Sequence, residues 1–381
     1  MIRDKDSVLV LEDGYTFPGF SFGMGGSTLG EIVFATGMSG YQETLTDPSY
    51  AGQIVVQTAP HIGNTGMNDL DEESDRIWVS GYVVKEVSRI DSNFRSERSL
   101  EADLLRDQVV GIAGLDTRAL TLHLRNLGVM RAGIFTGEEA HKPISDLVEI
   151  VRASESMAGR SLSDVVSTKK TYKVSGQGEI QGKVAILDLG IKRSTIENMA
   201  ARGLDVIVYP AQVDLETLLE EHPDAVFFSN GPGDPSTADK QILLLQEILR
   251  RGIPFFGICF GNQLLGRALG FDTYKLAFGH RGINQPVIDK RTGKVEVTAH
   301  NHGFAVKMDS QGVIESPAGF GKVQVSHLCL NDNVVEGIEC LDLPAYSVQY
   351  HPEAAAGPHD ANYLFDRLVQ LIEDTKMDKR K

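Results

Sequence analysis

Cysteine is scarce in this chain, with Cys259, Cys329 and Cys340 the only three among 381 residues. They are too few and too irregularly spaced for a disulfide framework or a cysteine-built zinc site, so reduced thiols are expected. Positive charge is also short, at 37 Lys and Arg against 52 Asp and Glu, a net charge of −15. A phosphate backbone would be repelled except at a local basic patch, and there is no such run, so no nucleic-acid partner is expected. Lys376, Lys379, Arg380 and Lys381 read instead as a solvated tail. No apolar stretch approaches a membrane span, and Arg3, Asp4, Lys5 and Asp6 interrupt the place where a signal peptide needs its apolar core. The expectation is a cytoplasmic protein with no membrane partner. Gly178 to Lys183 has the wrong spacing for a phosphate loop, with Val184 at the Ser/Thr position, and Gly23 to Thr28 lacks the third glycine of a dinucleotide loop. No ATP site is expected, and the second segment reads as a turn. There is no solenoid repeat.

What is present is an ordinary globular composition, 41% hydrophobic and 23% charged. The length exceeds one ordinary core, so two domains are expected. The C-terminal half has the clearer rhythm. Residues 183–189 (KVAILDL), 204–209 and 224–228 read as strands, and 194–202, 215–221 and 240–250 as helices. Such alternation implies a mostly parallel sheet flanked by helices, an α/β domain. Residues 295–299, 321–328, 334–339 and 346–350 read as later strands forming an antiparallel extension, and 361–374 as a final helix. In the N-terminal half, 7–11, 31–36, 53–58 and 77–84 read as strands, and 117–126 as a helix capped by Asp116, giving an α+β domain. Between them 154–182 is polar and Ser/Gly/Gln/Lys-rich. The expected division is therefore 1–153, a linker 154–182, and 183–381.

The feature richest in chemistry is Gly257-Ile258-Cys259-Phe260-Gly261, which follows an apolar strand and opens a helix-like segment. A nucleophile framed by glycines at a strand-to-helix junction is an elbow, a strained turn that needs small neighbours. The helix N-terminus beneath it favours the thiolate. Cys329 and Cys340 lack such a frame and read as structural. His351 follows a predicted strand, where parallel α/β folds place their chemistry. Pro352 holds the chain extended, so Glu353 projects on the same side and can orient the imidazole. The loop Ser229-Asn230-Gly231-Pro232-Gly233-Asp234-Pro235 has two readings that the residues do not rank. One is a rigid turn; the other is an oxyanion hole, with Gly231 and Gly233 N–H joined by that of Phe260. His300 and His302, with His280 nearby, suggest a metal, but no carboxylate or cysteine stands at ligand spacing, so none is expected.

Together Gly257-Ile258-Cys259-Phe260-Gly261-Asn262-Gln263, Asn230-Gly231-Pro232-Gly233-Asp234-Pro235 and His351-Pro352-Glu353 resemble the triad (class I) glutamine amidotransferases. Gly40-Tyr41-Gln42-Glu43-Thr44-Leu45-Thr46-Asp47-Pro48-Ser49-Tyr50, Pro60-His61-Ile62-Gly63-Asn64 and Gly114-Leu115-Asp116-Thr117-Arg118-Ala119-Leu120 narrow this to the carbamoyl-phosphate synthase small-subunit family. Asn301-His302-Gly303-Phe304-Ala305-Val306 and Gly279-His280-Arg281-Gly282 resemble it too, so the likeness covers essentially the whole chain.

The resemblance implies an N-terminal family domain in front of an amidotransferase domain. It implies glutamine hydrolysis through Cys259, His351 and Glu353, by way of a γ-glutamyl thioester. Glutamine contacts carry over to Ser49, Gly231, Gly233, Phe260, Gln263, Asn301, Gly303 and Phe304, with Ser49 reaching the pocket from the other domain. A large synthetase subunit is the implied partner. It would use ATP, magnesium and bicarbonate to make carbamoyl phosphate for arginine and pyrimidine synthesis, with no cofactor in this chain. Asn262 stands where the family commonly has histidine, and Phe260 where it commonly has leucine. Two other readings are a self-standing γ-glutamyl cysteine hydrolase and a non-catalytic regulatory subunit.

Overall fold

The protein is described by a computed structural model over residues 6–378. Arg3, Asp4, Lys5, Lys379, Arg380 and Lys381 lie outside the described residues. The chain divides into two compact units, Met1–Arg160 with Ala277–Arg281, and Ser161–Leu276 with Gly282–Lys381.

In the first unit the strands are β1 (Ser7–Leu11), β2 (Thr16–Gly23), β3 (Ser27–Ala35), β4 (Gln53–Gln57), β5 (Gly81–Val84), β6 (Val110–Ala113) and β7 (Met130–Thr136). They close into a barrel in the order β1-β2-β6-β5-β4-β3-β7. Every strand contributes to one buried cluster, through Leu9, Phe17, Ile32, Ile54, Val83, Ile112 and Ile134. The expected α+β domain is thus corrected to a closed barrel, with Leu120 and Leu124 of the helix Thr117–Leu127 joining the same cluster. The sequence hid closure because β2 contains Pro18 and Gly19, and β7 contains Gly133, residues that interrupt a strand pattern. The helix Thr117–Leu127 does start on Asp116, whose Oδ1 accepts from Ala119 N–H at 2.9 Å. Residues 24–26 form the link between β2 and β3, with Gly26 at φ 116°.

The second unit holds β8 (Tyr172–Val174), β9 (Gly182–Asp188), β10 (Leu204–Pro210), β11 (Ala225–Phe228), β12 (Phe255–Ile258), β13 (Asp272–Asp289), β14 (Val295–Lys307), β15 (Val313–Glu315), β16 (Lys322–Cys329), β17 (Val335–Cys340) and β18 (Ala345–Val348). The sheet order is β14-β13-β16-β17-β18-β12-β11-β9-β10-β8, with β15 on β16. Strands β10, β9, β11, β12 and β18 pair in parallel. On either side the pairing is antiparallel, β8 on β10 at one edge and β17 on β18, then β16 on β17, at the other. The sheet is therefore mixed rather than mostly parallel. The reason is connection length: β16 and β17 are joined by a short turn, whereas a parallel pair needs a crossover of a dozen residues or so. Segment 154–182, read as a linker, carries the helix Ser163–Val166 and strand β8.

The continuous apolar run of β9 is explained by burial on both faces. Ala185 and Leu187 join one core, with Phe228, Phe255, Leu264 and Leu265, and Val184 and Ile186 join the other, with Phe227, Phe256, Ile258 and Phe365. This two-sided packing fixes the ends of β9, β11, β12 and β18, from which the chemistry-bearing loops leave. Among the described residues no helix is long and apolar enough to cross a membrane.

Candidate active site

Cys259 stands between β12 and the helix Phe260–Ala268, at φ 54° and ψ −98°. Side chains rarely adopt this backbone conformation, and the surrounding contacts must hold it. Cys259 N–H donates to Val348 O at 2.8 Å, Gly261 N–H donates to Ser229 O at 3.2 Å, and the Asn262 and Gln263 N–H groups donate to Cys259 O, each at 3.1 Å. The bend also needs room. A Cβ on Gly257 would lie 2.8 Å from the Gly261 carbonyl, and one on Gly261 would lie 2.2 Å from Phe228 O. The two glycines that flank the nucleophile in sequence therefore clear its backbone in space. The Cys259 thiol is buried and donates to Asn301 O, with Sγ 3.6 Å from the oxygen.

His351 follows β18, the parallel neighbour of β12, and its N–H donates to Ala299 O at 2.8 Å. Its Nδ1 lies 2.7 Å from Glu353 Oε1, and both side chains are buried. An ionised carboxylate only accepts, so Nδ1 carries the proton and Nε2 is the free end of the ring. Nε2 is buried without a hydrogen bond of ordinary length, yet the Cys259 sulfur is near enough to favour the protonated ring. Burial and Lys192 both push the imidazole toward neutrality. Glu353 and Cys259 outweigh them and raise it to about 10. Burial likewise pushes the Glu353 carboxyl up, but Lys192 and His351 overcome it and hold it at about 2. The arrangement can thus deliver a proton from a buried imidazole beside a strained thiol.

Lys192 was missed in the sequence. Its Nζ is 2.8 Å from Glu353 Oε1, in the turn after β9. Asp188 builds that turn: Oδ1 accepts from Gly190 and Ile191 N–H at 2.9 and 2.8 Å, and Oδ2 accepts from Thr168 N–H at 2.7 Å. The available signal was position alone, since a lysine just past the carboxyl end of a parallel strand is placed for chemistry.

The loop after β11 is tied to the same turn. Asn230 Nδ2 donates to Gly190 O at 2.8 Å, and Leu189 N–H donates to Ser229 Oγ at 2.9 Å. Gly231 packs so closely that a Cβ would stand 2.1 Å from Leu189 O, and Gly233 has φ 100°. Phe260 is the first residue of its helix, so its N–H has no intrahelical acceptor. Gln263 is engaged within the fold, its Nε2 donating to Phe304 O at 3.0 Å and to Gln349 Oε1 at 3.2 Å. Asn262 ties the helix to β18: Nδ2 donates to Gln349 Oε1 at 3.2 Å, and Oδ1 accepts from Ser347 Oγ at 2.8 Å. Asn301, Gly303 and Phe304 follow one another along β14, next to the Cys259 contact. Ser49 belongs to the first unit, in the short helix Pro48–Tyr50, with its N–H on Asp47 Oδ1. Cys329 and Cys340 are buried, and burial pushes both thiols up to about 12, consistent with inert core residues.

Residues 9–134 match the family described as carbamoyl-phosphate synthase small chain, CPSase domain, and residues 185–371 match glutamine amidotransferase class-I. The carbamoyl phosphate synthase small chain of Streptomyces avermitilis is 60% identical over 96% of this chain and 96% of its own length. The proteins of the same name from Bifidobacterium longum (strain NCC 2705) and Mycobacterium tuberculosis are 58% and 56% identical, over 98% and 96% of this chain and 96% and 98% of theirs. The chain therefore belongs to the carbamoyl-phosphate synthase small-chain family and is a glutamine amidotransferase.

Proposed function

We propose that the chain hydrolyses L-glutamine through Cys259, His351 and Glu353 and hands the ammonia to a large synthetase subunit. The observation that carries this reading is Cys259 at φ 54° beside a buried His351 whose Nδ1 is held by Glu353. The Cys259 S–H proton goes to His351 Nε2, the sulfur attacks the side-chain amide carbon of glutamine, and the electron pair of the carbonyl moves onto oxygen. The oxyanion is met by the Phe260 N–H and by N–H groups of Gly231 and Gly233. When the tetrahedral adduct collapses, the C–N bond breaks and His351 gives its proton to the leaving nitrogen, so ammonia departs and a γ-glutamyl thioester remains. His351 then takes a proton from water as it attacks the thioester; the second adduct expels the sulfur, His351 returns the proton to it, and glutamate leaves. Gly231, Gly233, Phe260, Gln263, Asn301, Gly303 and Phe304 form the glutamine pocket in this reading.

The names of the relatives support a partner chain. In this reading the large subunit uses ATP, magnesium and bicarbonate to turn the ammonia into carbamoyl phosphate, for arginine and pyrimidine synthesis in the cytoplasm. No cofactor is assigned to this chain. The test is glutamate release by the purified chain, alone and with a large subunit plus ATP, magnesium and bicarbonate. Slow release that rises with the partner and yields carbamoyl phosphate is expected. Cys259→Ser should abolish glutamine-dependent synthesis and leave ammonia-dependent synthesis by the complex intact. Fast release indifferent to the partner would favour a self-standing hydrolase, and glutamine use by Cys259→Ser would overturn the nucleophile.

A further inference from the structure

His300 and His302 alternate along β14, so both rings leave the same face of the strand, and β17 brings Glu336 against them. His300 Nδ1 lies 3.3 Å from His302 Nε2 and 3.6 Å from Glu336 Oε2, and His302 Nε2 lies 3.5 Å from Glu336 Oε1. All three side chains are buried. The sequence displays the histidines without a carboxylate; the fold supplies one from another strand.

The outer nitrogen of each ring decides which atoms face inward. Thr298 Oγ1 is 2.8 Å from Gln285 O and 2.7 Å from His300 Nε2. A carbonyl only accepts, so the hydroxyl proton goes to Gln285 and the hydroxyl oxygen accepts from His300 Nε2–H. His302 Nδ1 is 2.9 Å from Phe304 O and carries its ring's proton for the same reason. In neutral rings, Nδ1 of His300 and Nε2 of His302 then point lone pairs at one space beside a carboxylate. A cation placed among these three buried groups would be held by all of them.

We propose that this cation is a zinc ion held by His300 Nδ1, His302 Nε2 and Glu336. A tetrahedral zinc with bonds of about 2.0–2.1 Å sets its ligands about 3.3–3.4 Å apart; the two ring nitrogens are 3.3 Å apart, and each faces its own Glu336 oxygen, Oε2 at 3.6 Å from His300 and Oε1 at 3.5 Å from His302, so the carboxylate can offer either oxygen or both. Two imidazoles and a carboxylate suit zinc better than magnesium or calcium, which favour all-oxygen sites. Thr298 and the Phe304 carbonyl supply the outer hydrogen bonds that orient metal-bound histidines. The ion ties β14 to β17 and steadies Asn301, which lies between the two histidines and whose carbonyl accepts the Cys259 thiol. Its role is structural. His280 falls in the Ala277–Arg281 segment of the first unit.

The test is the zinc content of the full chain by inductively coupled plasma mass spectrometry, after zinc loading and dialysis against metal-free buffer. One zinc per chain is expected, with affinity, read by competition against a chromophoric chelator, falling about 100-fold in Glu336→Gln and His300→Gln. Thr298→Val keeps every ligand but loosens the ring orientation, and should weaken zinc by about tenfold while remaining folded. Cobalt loading should give the intense visible absorption of tetrahedral coordination, absent in Glu336→Gln. A chain that retains no zinc, or variants that bind it as the wild type does, would overturn the proposal and leave a shared proton as the cation.

Discussion

Lys192 Nζ lies 2.8 Å from Glu353 Oε1, the same oxygen that accepts the Nδ1–H of His351 at 2.7 Å. The carboxylate is thus shared by two cations with opposite consequences for the ring: Glu353 favours protonated His351, and Lys192 disfavours it. Removing one or the other should move the imidazole in opposite directions. Glu353→Gln should lower its pKa by more than about one unit, because burial and Lys192 then act unopposed by the carboxylate. Lys192→Met should raise it. The His351 ring resonances followed against pH by NMR would measure both, and a shift of the same sign in the two variants would refute the arrangement.

Stability should follow the same charges. The Glu353 carboxyl goes from 4.5 to about 2 on folding, so its contribution is complete above pH 4.5 and is lost as pH falls through about 2. His351 goes from 6.5 to about 10, so its contribution is complete below pH 6.5 and is lost as pH rises through about 10. The two overlap fully only between these windows. Urea unfolding across pH should show an acid-side loss of stability that is shallower in Glu353→Gln and an alkaline-side loss that is shallower in His351→Asn. Unchanged slopes in both variants would remove these groups from the account.

The glycine frame makes a steric prediction. Gly261→Ala would drive a methyl to 2.2 Å from Phe228 O, a backbone atom that cannot swing aside, whereas Gly257→Ala would meet the Gly261 carbonyl at 2.8 Å. Both should destabilise by about 1–3 kcal/mol, as overpacking does, with Gly261→Ala the worse. Both should also slow alkylation of Cys259 by iodoacetamide, since the strained φ of 54° cannot survive a displaced helix. Denaturant midpoints and alkylation rates decide it; a Gly261→Ala protein as stable and reactive as the parent would show that the frame is dispensable.

Local features were legible in the sequence and non-local ones were not. Cys259 is announced by glycines two positions either side, and His351 by Pro352 and Glu353, so both could be read without a fold. Lys192 and Glu336 are ordinary residues in ordinary strings, and acquire their meaning only when β9 and β17 bring them beside distant partners. Barrel closure escaped for a related reason. It rests on pairing β1 with both β2 and β7, and neither β2 nor β7 has an uninterrupted strand pattern. The parallel centre of the second sheet was readable because β9 is buried on both faces. The antiparallel flank, with its long strands β13 and β14, shows the period less cleanly.

Asp188 offers a way to disturb Lys192 without touching the reacting groups. Its buried carboxylate accepts three backbone N–H groups, from Thr168, Gly190 and Ile191, and so folds the turn that delivers Lys192 to Glu353. Burial pushes this carboxyl up despite those three donors, so its charge is kept at a cost. Asp188→Asn can satisfy only some of them, because an amide nitrogen must replace one oxygen and would face an N–H. The cost should be about 1–3 kcal/mol, the price of a buried donor left unmatched. If the turn positions Lys192, this variant should also shift the His351 titration upward, in the direction of Lys192→Met and by less. A loss of stability with the His351 titration unmoved would mean that Asp188 braces the loop and that Lys192 reaches Glu353 without it.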